Sequence, residues 1–281
     1  MINNKTIAVV VPAYNEEVQI GMVIETMPEF VDRIVIVNDF SKDNTADVVK
    51  TYQNKYFSET KLKKNEVTKT IYSRADEIVE ELNKQEINFF PPAEVFENKP
   101  NDKVVLINLL VNSGVGGAIA RGYKWCKDNN IDCTAVMAGD GQMDPAELYS
   151  ICEPVIYEDI DYVKGNRLSH KSAKKLIPKS RFRGNSILSI LTKIASGYWH
   201  ISDTQTGYTA ISNVAINKIE LYKIYKRYGM PNDMLVKLNI ETCTLREVPI
   251  KPIYYVGEQS KMKIGKVIPR ISKLLILSFF K

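Results

Sequence analysis

Histidine is nearly absent from this 281-residue chain: His170 and His200 are the only two. The four cysteines, Cys126, Cys133, Cys152 and Cys243, show no CxxC spacing. These shortages argue against a Cys/His zinc site and against a disulfide framework, since both need such residues in recurring pairs. The thiols read as reduced and mostly buried. No run of about 18 apolar residues occurs, so no segment is expected to cross a bilayer unaided. Met1-Ile2-Asn3-Asn4-Lys5 lacks the basic-then-apolar form of a secretory signal, and the expected compartment is the cytoplasm. Repeats and low-complexity tracts are missing too.

What is present is ordinary in amount and uneven in placement. Hydrophobic residues make up 44% and charged residues 25%, the balance of a soluble globular protein with enough length for a substantial core. The net charge is only +5, yet residues 164–183 hold eight Lys/Arg and no acid. Residues 259–281 hold six more, again without an acid. One-signed stretches of this kind either face an anionic partner or form a solvated surface.

Apolar, β-branched runs alternate with helical spacing. Strands are expected at 6–11, 33–37, 103–110, 134–137 and 161–164, with helices at 16–27, 116–127 and 145–157 between them. That rhythm gives an α/β fold with a mostly parallel central sheet and helices on both faces. Residues 50–102 interrupt it. They are polar, with one helical pattern at Ala75, Ile78, Val79 and Leu82 and a breaker at Phe89-Phe90-Pro91-Pro92, so a partly helical insertion on the rim is expected. Beyond it come a helix at 186–195, strands at 209–211 and 247–255, and two helical segments around Tyr228-Gly229-Met230-Pro231-Asn232-Asp233.

Chemistry concentrates where apolar runs break. Val11-Pro12-Ala13-Tyr14-Asn15-Glu16 and Met137-Ala138-Gly139-Asp140-Gly141-Gln142 each end a strand, and ligands bind at carboxyl strand ends in open α/β sheets. Asp140 and Gln142 are two apart and would point the same way on an extended backbone, offering a carboxylate and an amide oxygen to magnesium or manganese on a diphosphate. The plainer alternative is an Asp-Gly turn. Asp39 ends the second strand, placed to bind a nucleotide's base or ribose or simply to cap the next turn. Gly114-Val115-Gly116-Gly117 is no dinucleotide fingerprint, because Ile119 stands where that register needs a small residue. These features together suggest an enzyme that handles a nucleotide-sugar.

Pro12-Ala13-Tyr14-Asn15-Glu16, Val37-Asn38-Asp39-Phe40-Ser41-Lys42-Asp43-Asn44-Thr45, Asn112-Ser113-Gly114-Val115-Gly116 and residues 137–145 occur in the order seen in family-2 glycosyltransferases. The chain resembles the branch containing dolichol-phosphate mannose and glucose synthases, up to about Ile211 outside the insertion and again over 247–263. The resemblance implies a GT-A fold with a Rossmann-like nucleotide-binding half, a divalent metal and inversion at the anomeric carbon. It implies one domain over 1–257, followed by a basic amphipathic segment over 258–281. By resemblance, Pro12, Tyr14, Glu16 and Asp39 line the nucleotide site, and Asp140 with Gln142 meets the metal; Asn112, Gly116 and Asp140 are further donor-site candidates. Two positions depart from the pattern: Ala138 stands where the first Asp of an acidic triad is usual, and Asn38 replaces a frequent Asp. Asp144 is a substitute carboxylate.

Asp203, in Asp203-Thr204-Gln205-Thr206-Gly207-Tyr208, matches a position beside metal and acceptor, and Asp233 one where relatives keep a general base. A sugar hydroxyl needs such a base, whereas a lipid monophosphate is already ionised and needs cations instead. Arg167, Arg181, Arg183, Lys261 and Lys263 are the candidates to hold it. The expected acceptor is a polyprenyl phosphate at the cytoplasmic membrane face. A saccharide hydroxyl acceptor, a catalytically silent nucleotide-sugar binder and a nucleotidyltransferase are the alternatives. No nucleic-acid partner is expected. The tail, 267–280, combines basic and apolar residues, as a helix lying on an anionic membrane surface does, or as a last helix docked on the core.

Overall fold

The computed structural model describes residues 1–62, 70–96, 99, 101–177, 179–253 and 264–279. Among them the strands are β1 (Ile7–Ala13), β2 (Arg33–Asn38), β3 (Ala93–Phe96), β4 (Val104–Leu109), β5 (Cys133–Val136), β6 (Tyr162–Asn166), β7 (Thr209–Ser212) and β8 (Leu245–Pro249). They form a single sheet in the order β3-β4-β2-β1-β5-β7-β6-β8. β4, β2, β1 and β5 run parallel, so their carboxyl ends open on one edge. The order reverses at β1, which has β2 on one side and β5 on the other, and that reversal makes a crevice for ligands.

Alternation along each strand supplies both faces. In β1, Ile7, Val9 and Val11 enter one core, while Ala8 and Val10 enter the other. The first face is covered by α1 (Ile20–Glu25), α2 (Thr45–Tyr52) and α5 (Leu148–Tyr157), through Ile20, Val49 and Ile151 among others. On the second lie α4 (Val115–Asp128) and α9 (Met230–Ile240), through Ile119, Tyr123, Met234 and Leu238. Burial on both faces explains why these strands read as continuous apolar runs. This is a GT-A type α/β architecture.

The second half reverses strand direction. β7 is antiparallel to β5, pairing Thr209 with Val136, and β6 is antiparallel to β7. The start of β7 and the end of β6 therefore arrive at the same edge as the end of β5. Residues 203–208 and Arg167 are carried there by that reversal.

The insertion is partly helical, as its pattern suggested: α3 spans Arg74–Glu86. After the Pro91-Pro92 breaker the chain forms β3, an antiparallel edge strand on β4 that its half-exposed residues had concealed. Other boundaries moved as well. α1 starts only at Ile20, β8 stops at Pro249, and Asp233 lies in the first turn of α9 rather than between helices. The tail forms α10 (Ile264–Phe279), docked on α7 (Lys179–Ser196) and α9, where Ile271 and Leu275 bury against Leu188 and Val236. Of the two expectations for this segment, the docked helix is the one observed. No described helix is long and apolar enough to cross a membrane.

Candidate active site

Four loops meet at the carboxyl edge, and small polar side chains lace the first two together. The Asn15 N–H donates to Ser41 Oγ (2.9 Å), the Glu16 N–H to Thr45 Oγ1 (2.9 Å), and the Lys42 N–H to Asn15 Oδ1 (2.8 Å). Thr45, the first residue of α2, bridges Glu16 and Asp43. Pro12, Tyr14 and Glu16 sit half-buried along this rim. Asn38 donates to Asn108 Oδ1 at 2.6 Å across the β2–β4 pair.

Asp39 is buried, and its carboxylate faces the protein. Oδ1 accepts from the Ser113 N–H (2.6 Å) and Ser113 Oγ (3.0 Å), while Oδ2 accepts from the Gly114 N–H (2.8 Å) and Asn112 Nδ2 (3.1 Å). Those bonds use the four lone-pair directions of a carboxylate. A base or ribose contact, the role expected from its strand-end position, therefore requires a ligand to displace part of the loop. Burial pushes the Asp39 carboxyl above its usual range, against the lowering influence of Ser113, Gly114 and the Arg227 guanidinium. Asn112, a donor-site candidate, is spent on the same carboxylate.

Gly116 is likewise turned inward. Its N–H and that of Gly117 donate to the Lys226 carbonyl at 3.0 and 3.3 Å. A Cβ at Gly116 would lie 2.0 Å from the Tyr225 carbonyl oxygen. One at Gly114, whose φ is +77°, would lie 2.4 Å from that of Lys226. The glycines admit the 224–229 loop, so the first amides of α4 are not open to a phosphate.

At the end of β5, Gly141 has φ +74°, and the Asp140 carboxylate accepts from the Gln142 N–H at 3.0 Å. The segment is a turn, which corrects the extended geometry expected for the two side chains. Asp144, the substitute carboxylate, is engaged elsewhere: it caps the following turn through the Ala146 N–H and pairs with Lys251 Nζ at 2.9 Å. That bond to Lys251 holds its carboxyl below the usual range. Among the described residues no cluster of three His, Cys, Asp or Glu could cage a metal. One carboxylate and one amide do fit a cation that arrives on a diphosphate, since magnesium commonly takes one or two carboxylates and completes its shell with substrate phosphate and water.

The second half of the edge is built from buried charge. Arg167 clamps Asp203 in a two-pronged pair, Nε to Oδ2 at 2.8 Å and an outer guanidinium nitrogen to Oδ1 at 2.9 Å. Asp203 is 1% exposed. Burial alone would raise its carboxyl, but Arg167 and Lys164 hold it below the usual range. Lys164, fully buried, donates to the Thr206 carbonyl, and burial drives its ammonium down to about 8. Glu247 completes the group, accepting from the N–H groups of Ser202 and Asp203 and from Asn166 Nδ2, each at 2.8 Å, with its carboxyl raised by burial. Asp203, expected to be catalytic, has both carboxylate oxygens engaged by Arg167 in this geometry.

Asp233 is also engaged. Its Oδ2 accepts from the Tyr225 N–H at 2.8 Å and Oδ1 pairs with Lys237 at 3.4 Å, so the expected general base fastens the 224–229 loop to α9. Arg181 and Arg183 fall in the opening turns of α7, their side chains outside what the structure describes. Lys261 and Lys263 lie outside the described residues. Sequence reasoning missed three participants. Exposed Arg227 faces Asp39, whereas buried Lys164 and half-buried Glu247 meet from positions far apart in sequence, and no local motif marks them.

The sequence profile described as "Glycosyl transferase family 2" matches residues 8–71 and 91–220. The chain is 30% identical over 252 residues to a UDP-N-acetylglucosamine–dolichyl-phosphate N-acetylglucosaminyltransferase of Methanococcus voltae, covering 89% of this chain and 87% of that one. It is 28% identical to an undecaprenyl-phosphate mannosyltransferase of Micrococcus luteus, over 58% of this chain and 67% of the relative. A glucosyl-3-phosphoglycerate synthase of Mycobacterium tuberculosis, solved with Mn2+, UDP and glucosyl-3-phosphoglycerate, superposes with a TM-score of 0.59 at 14% identity, spanning 99% of this chain and 79% of that one. At that identity the match speaks for the fold.

Proposed function

The chain belongs to glycosyl transferase family 2, and from that membership we propose that this glycosyltransferase moves a sugar from a nucleoside-diphosphate donor to a polyprenyl phosphate. The observation that carries the acceptor is the state of the two candidate bases. A sugar hydroxyl needs a positioned group to take its proton, yet Asp203 is clamped by Arg167 and Asp233 is held by Tyr225 and Lys237. A phosphate monoester, with a second pKa of about 6, is already a nucleophile at neutral pH and needs only cations. The acid-free run 164–183 supplies them, with Arg181 and Arg183 at the head of α7. Relatives named for dolichyl and undecaprenyl phosphate agree with this choice.

In the proposed reaction a phosphate oxygen bonds to the anomeric carbon from the face opposite the diphosphate. The carbon–oxygen bond to the diphosphate breaks, its electron pair leaves with the nucleoside diphosphate, and the configuration inverts. A divalent cation, magnesium or manganese, held by Asp140 and Gln142, would offset the charge gathering on the leaving group; the synthase of like fold that was solved with Mn2+ and UDP supports this. Pro12, Tyr14 and Glu16 line the donor side of the crevice, and Asp39 with Asn112 shapes its floor. Transfer would take place at the cytoplasmic face of the membrane. The outer side of α7 shows Ile187, Ile190 and Ile194 to solvent on a helix without an acid, a pattern suited to an anionic interface.

The test offers labelled nucleotide-sugars together with a polyprenyl phosphate and follows label into the organic phase. Asp233→Asn should stay within about tenfold of wild type, less than the loss of a general base usually costs. Arg181→Ala with Arg183→Ala should cost at least about a hundredfold, because two charge-assisted phosphate contacts vanish. An inactive Asp233→Asn beside a normal double arginine variant, with donor binding intact in both, would move the acceptor to a hydroxyl.

A further inference from the structure

α3 is an amphipathic helix set the wrong way round for a monomer. Its acidic residues Glu77 and Glu80 are half-buried, whereas Ile78, Val79 and Leu82 are 42%, 55% and 59% exposed. Ile71 and Tyr72, just before it, are more exposed still. The helix is anchored at its C-terminal end. Glu86 is buried, pairs with Lys127 at 3.0 Å and accepts from the Leu221 N–H at 3.0 Å, and Phe89 stacks on Tyr222 with centroids 4.7 Å apart. The family profile leaves a gap between residues 71 and 91, and α3 fills it. A fixed helix that shows its apolar stripe to water is an interaction surface.

Charge decides what covers it. Arg74 and Lys84 are paired within the helix to Glu77 and Glu80, which leaves Asp76 and Glu81 flanking the stripe on its two sides. An anionic bilayer would be repelled by these flanks, and a second α3 would set acid against acid. The matching surface is basic and apolar, and this chain carries one. The outer side of α10 exposes Arg270, Lys273, Ile276 and Leu277, with no acid anywhere in the helix.

We infer that a second copy of the chain covers α3 with its α10, and that the exchange is reciprocal. The two helices touch opposite ends of the 221–229 segment: Tyr222 stacks on Phe89 just past α3, and Gly229 lies against Leu274 of α10. One connecting segment thus joins both helices, and a two-fold axis would pair each with the other's copy. Two such contacts also double the apolar area removed from water, toward the roughly 800 Å² per partner of a stable interface. The stripe on α7 stays free.

Sedimentation velocity of the full chain across the micromolar range tests this, with charge reversal in two places. Asp76→Lys with Glu81→Lys, and separately Arg270→Glu with Lys273→Glu, should each raise the dimer Kd by at least about a hundredfold by opposing like charges. Combining all four should restore the dimer, which neither a folding defect nor a surface-charge effect would do. A wild type that remains monomeric overturns the inference. So does a dimer indifferent to either pair, or four substitutions without rescue. If the α10 pair only releases a monomer from phosphatidylglycerol vesicles, α10 faces lipid and the inference falls.

Discussion

The two halves of the carboxyl edge are organised by different forces. Around β1, β2 and β4, short polar side chains bond to nearby backbone: Asn15, Ser41, Thr45 and Asp39 fix loops one at a time. Around β6, β7 and β8 charged side chains gather: Arg167 pairs with buried Asp203, while buried Lys164 and half-buried Glu247 bond to backbone beside them and share the electrostatic field of Asp203. The first arrangement is modular, and losing one bond loosens one turn. The second is collective, because removing one member strands the charges of the rest. The half around β1, β2 and β4 can therefore tolerate variation that the half around β6, β7 and β8 cannot.

The sharpest break in that contrast is Asp203→Ala. It leaves Arg167 and Lys164 without their shared counter-charge and should cost about 3–5 kcal/mol, the usual loss on splitting a buried pair. A urea midpoint close to wild type would show that water already reaches the group. Asp39→Ala should cost less, about 1–3 kcal/mol, since it leaves neutral Ser113 and Gly114 donors unpaired. If it leaves stability untouched and weakens only nucleotide binding, the carboxylate belongs to the ligand and the donor side is looser than drawn here. The last break is in the pH response. Lys164 holds its proton to only about 8 in the fold, against an ordinary 10.5. Between those values the unfolded chain binds the extra proton, so this lysine makes stability rise with pH. Measured against Lys164→Met, wild type should gain stability from pH 8 upward, and equal slopes would mean the ammonium is hydrated.

This division also explains what the sequence reveals. The central strands were legible because burial on both faces writes an uninterrupted apolar run, as in Ile34–Ile36 between Arg33 and Asn38. Asp39, Asp140 and Gln142 were legible as positions, because a strand that stops at an acid marks the edge of a sheet. Their orientations were not. Whether Asp39 faces ligand or loop depends on Ser113 and Gly114, which the sheet brings to it from another strand end. Glu247 and Lys164 carry no local signature, since each owes its place to the antiparallel course of β7. β3 was missed for a simpler reason: an edge strand with exposed residues needs no apolar pattern.

The clasp between the Lys226 carbonyl and the amides of Gly116 and Gly117 has a consequence for motion. Those two protons can exchange with solvent only when the 224–229 loop lifts, so their exchange rates measure its opening free energy. The same loop continues to Tyr222, which holds the end of α3 against Phe89. Opening at the floor of the crevice and loosening at the outward-facing helix thus belong to one cooperative unit, and whatever stills one end will slow exchange at the other.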